Sequence, residues 1–133
     1  MNVVVDTNVF ISSFFGGNPR AIIDLWKSGN IILCLSRAII AEYISVLKRM
    51  GLADEPELEE ILSVFRRGVH CQYYADPPPI SMSLADPTDA KFVECAVALK
   101  AAAIISGDRH LLSIGDYCGI RIVTPRKFLE LRK

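Results

Sequence analysis

The strongest constraint in this chain is a set of short apolar runs that do not alternate. Val3-Val4-Val5 ends in Asp6, Ile31 to Leu35 is followed by Ser36, and Ala102 to Ser106 is broken by Gly107. A strand with one wet face alternates apolar and polar residues, whereas a strand covered on both faces does not. Strands of this second kind belong in a parallel sheet. Val69 to Tyr74 and Ile120 to Val123 read as two more strands. Helical segments fall between them. Asn8 to Phe15 reads as a short helix, and Asn18-Pro19 starts another that reaches about Ser28. Ser36 caps a helix to about Met50. Residues 55–67 place Leu58, Ile61, Leu62 and Phe65 on one face. Pro77-Pro78-Pro79 is an extended connection. Asp86-Pro87 opens a helix to about Lys100, a short one follows near Arg109 to Ile114, and Thr124-Pro125 caps the last. Strands alternating with helices predict an α/β fold, a parallel sheet covered on both faces.

The 133 residues suit one domain, residues 1–133, with no repeat and no linker long enough to divide it. At 51% hydrophobic and 23% charged, the chain is too apolar for intrinsic disorder. Fifteen Lys and Arg balance fifteen Asp and Glu, which argues against a nucleic-acid binder that works by bulk positive charge. A local basic rim beside a local acidic pocket remains compatible with that balance. No run approaches the ~20 apolar residues of a membrane helix. The opening MNVVVDTNVF lacks a basic lead, so a cytoplasmic protein without signal peptide is expected. Cys34, Cys71, Cys95 and Cys118 are scattered among apolar neighbours and are expected to be reduced, buried thiols.

Four acids resist a reading as ordinary surface charge. Asp6 ends the first buried strand, and Asp108 follows the fourth after one Ser and one Gly. Ligands of open parallel sheets bind beyond the carboxyl ends of the strands, so neighbouring first and fourth strands would bring both acids to one crevice. A plain helix cap is the alternative for each. Glu42 lies along the edge of its helix's apolar stripe, between Ile39 and Val46. It must turn to water or have a partner, because an uncompensated buried charge costs several kcal/mol. Asp89 sits in the first turn of its helix on the side of Val93 and Ala96, with capping as the alternative. Asp86 reads foremost as the N-cap before Pro87 and secondarily as an added acid.

Acids gathered in one place repel, and divalent cations relieve that repulsion. All-oxygen donors suit Mg²⁺ or Mn²⁺. The histidines, His70 and His110, are not at a ligand spacing for zinc. No P-loop and no dinucleotide-binding glycine motif occurs. A phosphatase of the DxD type would need an acid where Asn8 stands, and a phospho-acceptor receiver would need an acidic pair where Asp6 stands alone.

Four segments, VVVDTNVF, SRAIIAEY, DPTDAKFVECAVA and IISGDRHLL, together resemble a PIN domain, in order and over nearly the whole chain. The layout is most similar to the single-domain toxin branch of toxin–antitoxin pairs. The resemblance implies an α/β/α sandwich around a five-stranded parallel sheet of order 3-2-1-4-5. It also implies an Mg²⁺- or Mn²⁺-dependent endoribonuclease. The family's acidic positions fall on Asp6, Glu42, Asp89 and Asp108, which would hold one or two ions, and its polar positions fall on Asn8 and Ser106, which would orient ligands or waters. Asp86 matches only part of the family, and His110 stands where many relatives carry an acid.

Such a site would activate water against single-stranded RNA, and cations at its rim would hold the phosphates. Arg109 and Lys91 are the expected phosphate contacts, with Arg20 and Arg37 starting helices that open toward the same side. A small antitoxin protein and a homodimer are the expected partners, with no membrane. The competing readings are a non-catalytic PIN-like binding module and a housekeeping RNA-processing nuclease.

Overall fold

A computed structural model describes residues 1–81, 84 and 86–132. The strands are β1 (Asn2–Val5), β2 (Ile32–Leu35), β3 (Cys71–Tyr73), β4 (Ala103–Ile105), β5 (Asp116–Tyr117) and β6 (Ile120–Val123). The helices are α1 (Thr7–Ser12), α2 (Gly17–Lys27), α3 (Arg37–Arg49), α4 (Pro56–Arg67), α5 (Ala90–Ala98), α6 (Arg109–Leu112) and α7 (Pro125–Arg132), with 3-10 turns at Ser13–Phe15 and Pro87–Asp89. They build one six-stranded sheet of order β3-β2-β1-β4-β6-β5, flanked by helices. The expected 3-2-1-4 succession is present, and all neighbours are parallel except β5 and β6.

The non-alternating runs behave as their composition requires. Val3, Val4, Val5, Ile104 and Ile105 are all fully buried. β1 pairs with β4 so that Val5 lies opposite Ile105, and the Asp6 N–H continues the ladder to the Ile105 carbonyl at 3.0 Å. Asp6 and Ser106 therefore leave the sheet side by side, at the carboxyl ends of its two central strands. This register, more than any motif, positions the site.

α3 is fixed against this edge by Tyr43. Its ring stacks on Phe10 of α1 with centroids 4.1 Å apart and planes 2° from parallel, and its hydroxyl donates to the Val5 carbonyl. Ser36 caps α3 as the sequence predicts, accepting from the Ile39 N–H at 3.2 Å.

The sheet departs from the expected five strands at its edge. Asp116–Tyr117 folds back antiparallel on β6 through the two-residue turn Cys118-Gly119, both at positive φ (53° and 83°). A two-residue strand is too short to show periodicity, and the primed turn it needs is usually signalled by Asn-Gly or Asp-Gly. The same turn leaves Cys118 exposed, and Cys71 is half-buried. Only Cys34 and Cys95 match the expectation of buried thiols. The helix predicted at Asn18-Pro19 starts earlier, at Gly17. Gly16 and Gly17, at φ 96° and 72°, reverse the chain before Asn18. Among the described residues no helix is long and apolar enough to cross a membrane.

Replacing Tyr43 by Phe keeps the stack and removes the bond to Val5. We expect a loss of about 1–2 kcal/mol in chemical denaturation, the cost of a lost buried hydrogen bond. An unchanged midpoint would show that the hydroxyl does not hold α3 to β1.

Candidate active site

Asp6 follows β1 and is 3% exposed. Its carboxylate caps α1 by accepting from the Val9 N–H at 2.9 Å, and it also accepts from the Ser106 hydroxyl. Ser106, fully buried after β4, in turn accepts from the Asp108 N–H at 3.0 Å. One serine thus links the two acids that the parallel register brings together. Burial raises the Asp6 pKa, the bonds from Ser106 and Val9 pull it back, and the charge of Asp108 raises it again. Asp108 also caps α6, accepting from the His110 N–H at 2.9 Å. Capping and site membership, weighed as alternatives from the sequence, occur together in both residues.

Glu42 has the partners that its place on the apolar stripe demanded. It accepts from the Thr7 hydroxyl and pairs with the Lys91 ammonium at 3.0 Å. Lys91, expected at the rim, is therefore turned inward, and it also donates to the Thr88 carbonyl. Its side chain is 19% exposed.

The 3-10 turn before α5 supplies two more acids. Asp86 caps it, accepting from the Thr88 N–H at 3.0 Å and from the Thr88 hydroxyl at 2.8 Å. These bonds hold the Asp86 pKa below the usual carboxylate range. Asp89 is buried at 8% exposed, with its side chain making no cap bond. Its pKa is raised to about 6, first by burial, then by a hydrogen bond to Asp108 that needs the proton, then by the charges of Asp108, Asp86 and Asp6.

Asp6, Glu42, Asp86, Asp89 and Asp108 all line one cavity of about 220 Å³. Every sequence-predicted acid is therefore in one place. Asn8 lines it as well and is exposed, while Ser106 stands behind it. Thr7, Thr88 and Arg49, which the sequence did not single out, also line the wall, with Val46 and Phe92. Arg49 was detectable, since Glu42, Val46 and Arg49 recur at i, i+4 and i+7 on α3. Thr7 carried only the signal that Glu42 needed a partner. Arg109 is exposed at the start of α6. Arg20 instead donates to the Ser13 and Phe14 carbonyls, and Arg37 pairs with Asp76 at 3.2 Å.

The donor set is all oxygen, rich in carboxylate, and concentrated in one small polar hollow, which is the chemistry that Mg²⁺ and Mn²⁺ prefer. Among the described residues, however, no three His, Cys, Asp or Glu side chains already surround a common point that an ion could take. Glu42 is held by Thr7 and Lys91, and Asp6 by Ser106 and Val9. The donors fit the ion; ligation would require some of these bonds to be exchanged.

The PIN domain family model matches residues 2–110. An uncharacterized protein of Methanocaldococcus jannaschii is 32% identical over 144 residues, covering 98% of this chain and 90% of that protein. The chain belongs to the PIN-domain family. PIN domains are generally nucleases that act on RNA or other nucleic acid and typically use divalent metal ions.

The raised pKa of Asp89 has a consequence for stability without metal. Its folded value, about 6, lies above the ordinary aspartate value of 3.8, so the folded state holds the proton more tightly. Its contribution is therefore most favourable below about pH 4 and is lost as pH rises through about 6, a change on the order of 1–3 kcal/mol. In chelator, Asp89→Asn should gain stability over the unmodified protein as pH rises from 4 to 7. Parallel melting curves across that range would contradict the placement of Asp89.

Proposed function

We propose that this protein is a divalent-metal-dependent endoribonuclease that cleaves single-stranded RNA, and that it serves as the toxin of a toxin–antitoxin pair. The observation that carries the catalytic part is the convergence of five carboxylates from β1, α3, the Pro87 turn and the end of β4 on one 220 Å³ hollow. Membership of a nuclease family supports it. The toxin role, a small antitoxin partner and a homodimer are supported by the resemblance of the motif layout to the single-domain toxin branch.

Asp6, Glu42, Asp89 and Asp108 would hold Mg²⁺ or Mn²⁺, with Asp86 as a further acid. When bound, such an ion supplies Lewis acidity at the scissile phosphate and makes a hydroxide nucleophile available at neutral pH. The chain's own residues do the rest. Ser106 fixes the orientation of the Asp6 carboxylate and, through the Asp108 N–H, the start of α6. Thr7 does the same for Glu42. Asn8, exposed on the wall, offers an amide to a phosphate oxygen or a water. Lys91 balances Glu42 and stands ready to move to a phosphate when another cation takes its place. Arg49 puts positive charge on the wall beside the acids, where a phosphodiester would otherwise be repelled, and Arg109, exposed next to Asp108 in the chain, would add a phosphate contact.

Purified protein should cut a labelled single-stranded RNA in Mn²⁺ and stop in excess chelator. Asp6→Asn and Asp89→Asn should each lower the rate by more than about 100-fold, beyond the 10–100-fold typical when only a ligand's supporting partner is lost. Their melting temperatures in chelator should equal or exceed that of the unmodified protein, because a buried repulsion is removed. Cutting that survives either substitution or chelator would sink the assignment.

A further inference from the structure

The acidic hollow does not close at Asp108. Asn8, Asp86 and Asp108 are shared with a second cleft of about 580 Å³, whose far walls include Ser12, Pro19, His110 and Pro125. These come from the end of α1, the first turn of α2, α6 and the first residue of α7. Pockets that take a small organic molecule run to about 300–1,000 Å³. The acidic hollow, at 220 Å³, is below that range, with room for a reacting phosphate but not a nucleotide. The second cleft lies within it.

The lining also changes in kind. Past the shared acids, the walls offer neutral hydrogen-bonding groups, the Asn8 amide and the Ser12 hydroxyl, together with flat faces from Pro19, Pro125 and the His110 ring. The ring is anchored near the catalytic edge, its Nδ1 being 3.8 Å from Asp108 Oδ1, while its side chain is 57% exposed. Flat faces with polar edges suit an unpaired base, which stacks on one and bonds with the other. Gly107 lines the cleft, and a Cβ there would meet nothing within 4 Å. Along the junction of α2 and α7, the next residues, Asn18 and Arg126, line a third hollow with Leu129, Glu130 and Arg132, where Arg126 Nε pairs with Glu130 Oε1 at 3.2 Å. The succession is acids, then neutral walls, then Arg132 beside the Arg126–Glu130 pair. That is the order a strand needs to present a scissile phosphate, its flanking nucleoside and the following phosphate.

We propose that this second cleft is a nucleotide subsite, which receives the unpaired nucleotide flanking the scissile phosphate and passes the next phosphate toward Arg132. The assignment rests on the nuclease reading of the adjoining hollow. It gives His110 a role in binding substrate.

Two readouts on the full chain test it separately from that reading. The first is a titration of the protein in chelator with adenosine and uridine 5′-monophosphates, followed by amide chemical shifts. Saturable shifts at Ser12, Gly107 and His110 are expected, and Ser12→Trp, which fills the cleft from an exposed position, should abolish them. The second is the steady-state cleavage of a short single-stranded RNA in Mn²⁺. Ser12→Trp should raise KM about tenfold or more, the loss of roughly one base stack, with kcat within about threefold. His110→Ala should move KM the same way by less. Melting temperatures check that both variants fold. If the unmodified protein cuts RNA while the shifts lie elsewhere and both variants keep its KM, the subsite is wrong and the nuclease stands; a cleft serving a protein partner gives this result. If the shifts map to the cleft but no RNA is cut, the nuclease reading fails and the nucleotide site survives. If neither is seen, both fall.

Discussion

A carboxylate that water scarcely reaches organises the carboxyl end of this sheet. Asp6 is 3% exposed, and an ion so placed costs several kcal/mol in a domain that keeps only ~5–15 kcal/mol altogether. Bonds to the charged group offset that cost, at about 1.5–3 kcal/mol each. They come from different parts of the chain, the Val9 N–H of α1 and the Ser106 hydroxyl at the end of β4. Satisfying one buried charge therefore fixes the exit of β1, the first turn of α1 and the exit of β4 relative to one another. Asp108, two residues past Ser106 and bonded to it, inherits that position.

The rest of the acidic hollow follows the same logic. Acids that share a small cavity repel, and the chain answers from its own residues. Glu42 is balanced by Lys91 and bonded by Thr7, Asp89 holds its proton up to about pH 6, and Asp86 is bonded by Thr88. Glu42 is compensated by two residues distant in sequence, Asp86 by one two positions on. These are exchangeable partners, a lysine and a proton above all, which suits carboxylates expected to bind a cation in turn.

How much of this was legible depends on the range of the interaction. The continuous apolar runs announced the buried strands because burial on both faces leaves no polar position, and the acids that end them announced the crevice. Ser36 was readable because a cap acts within one turn. What escaped depends on the third dimension. The inward turn of Lys91 needs α3 and α5 to meet, and Thr7 gains its meaning only once Glu42 arrives from α3. The β5–β6 hairpin escaped for a different reason. It rests on two backbone conformations at Cys118 and Gly119 and on the Asp116 carboxylate, which accepts from the Gly119 N–H at 3.2 Å, a pattern too short for periodicity to show. Gly16 and Gly17 displaced the expected start of α2 in the same way, since backbone freedom outweighed a good capping residue.

Overall neutrality sharpens the question of how such a site would meet its substrate. With equal numbers of acidic and basic residues, the chain has no long-range field to draw in a polyanion, and charges are screened beyond about 10 Å in ordinary salt. Attraction must be local, and the structure segregates its charge accordingly. Acids line the hollow, and the exposed Arg49 stands on its wall with them. A rigid duplex presents phosphates on a convex surface and keeps its bases stacked inside. On the proposed reading, an unpaired strand would bend a phosphate down past Arg49 to the acids and lay its base in the adjoining cleft. Selectivity for unpaired RNA would then arise from the recess of the acids and the width of the neighbouring cleft, without any base-specific contact.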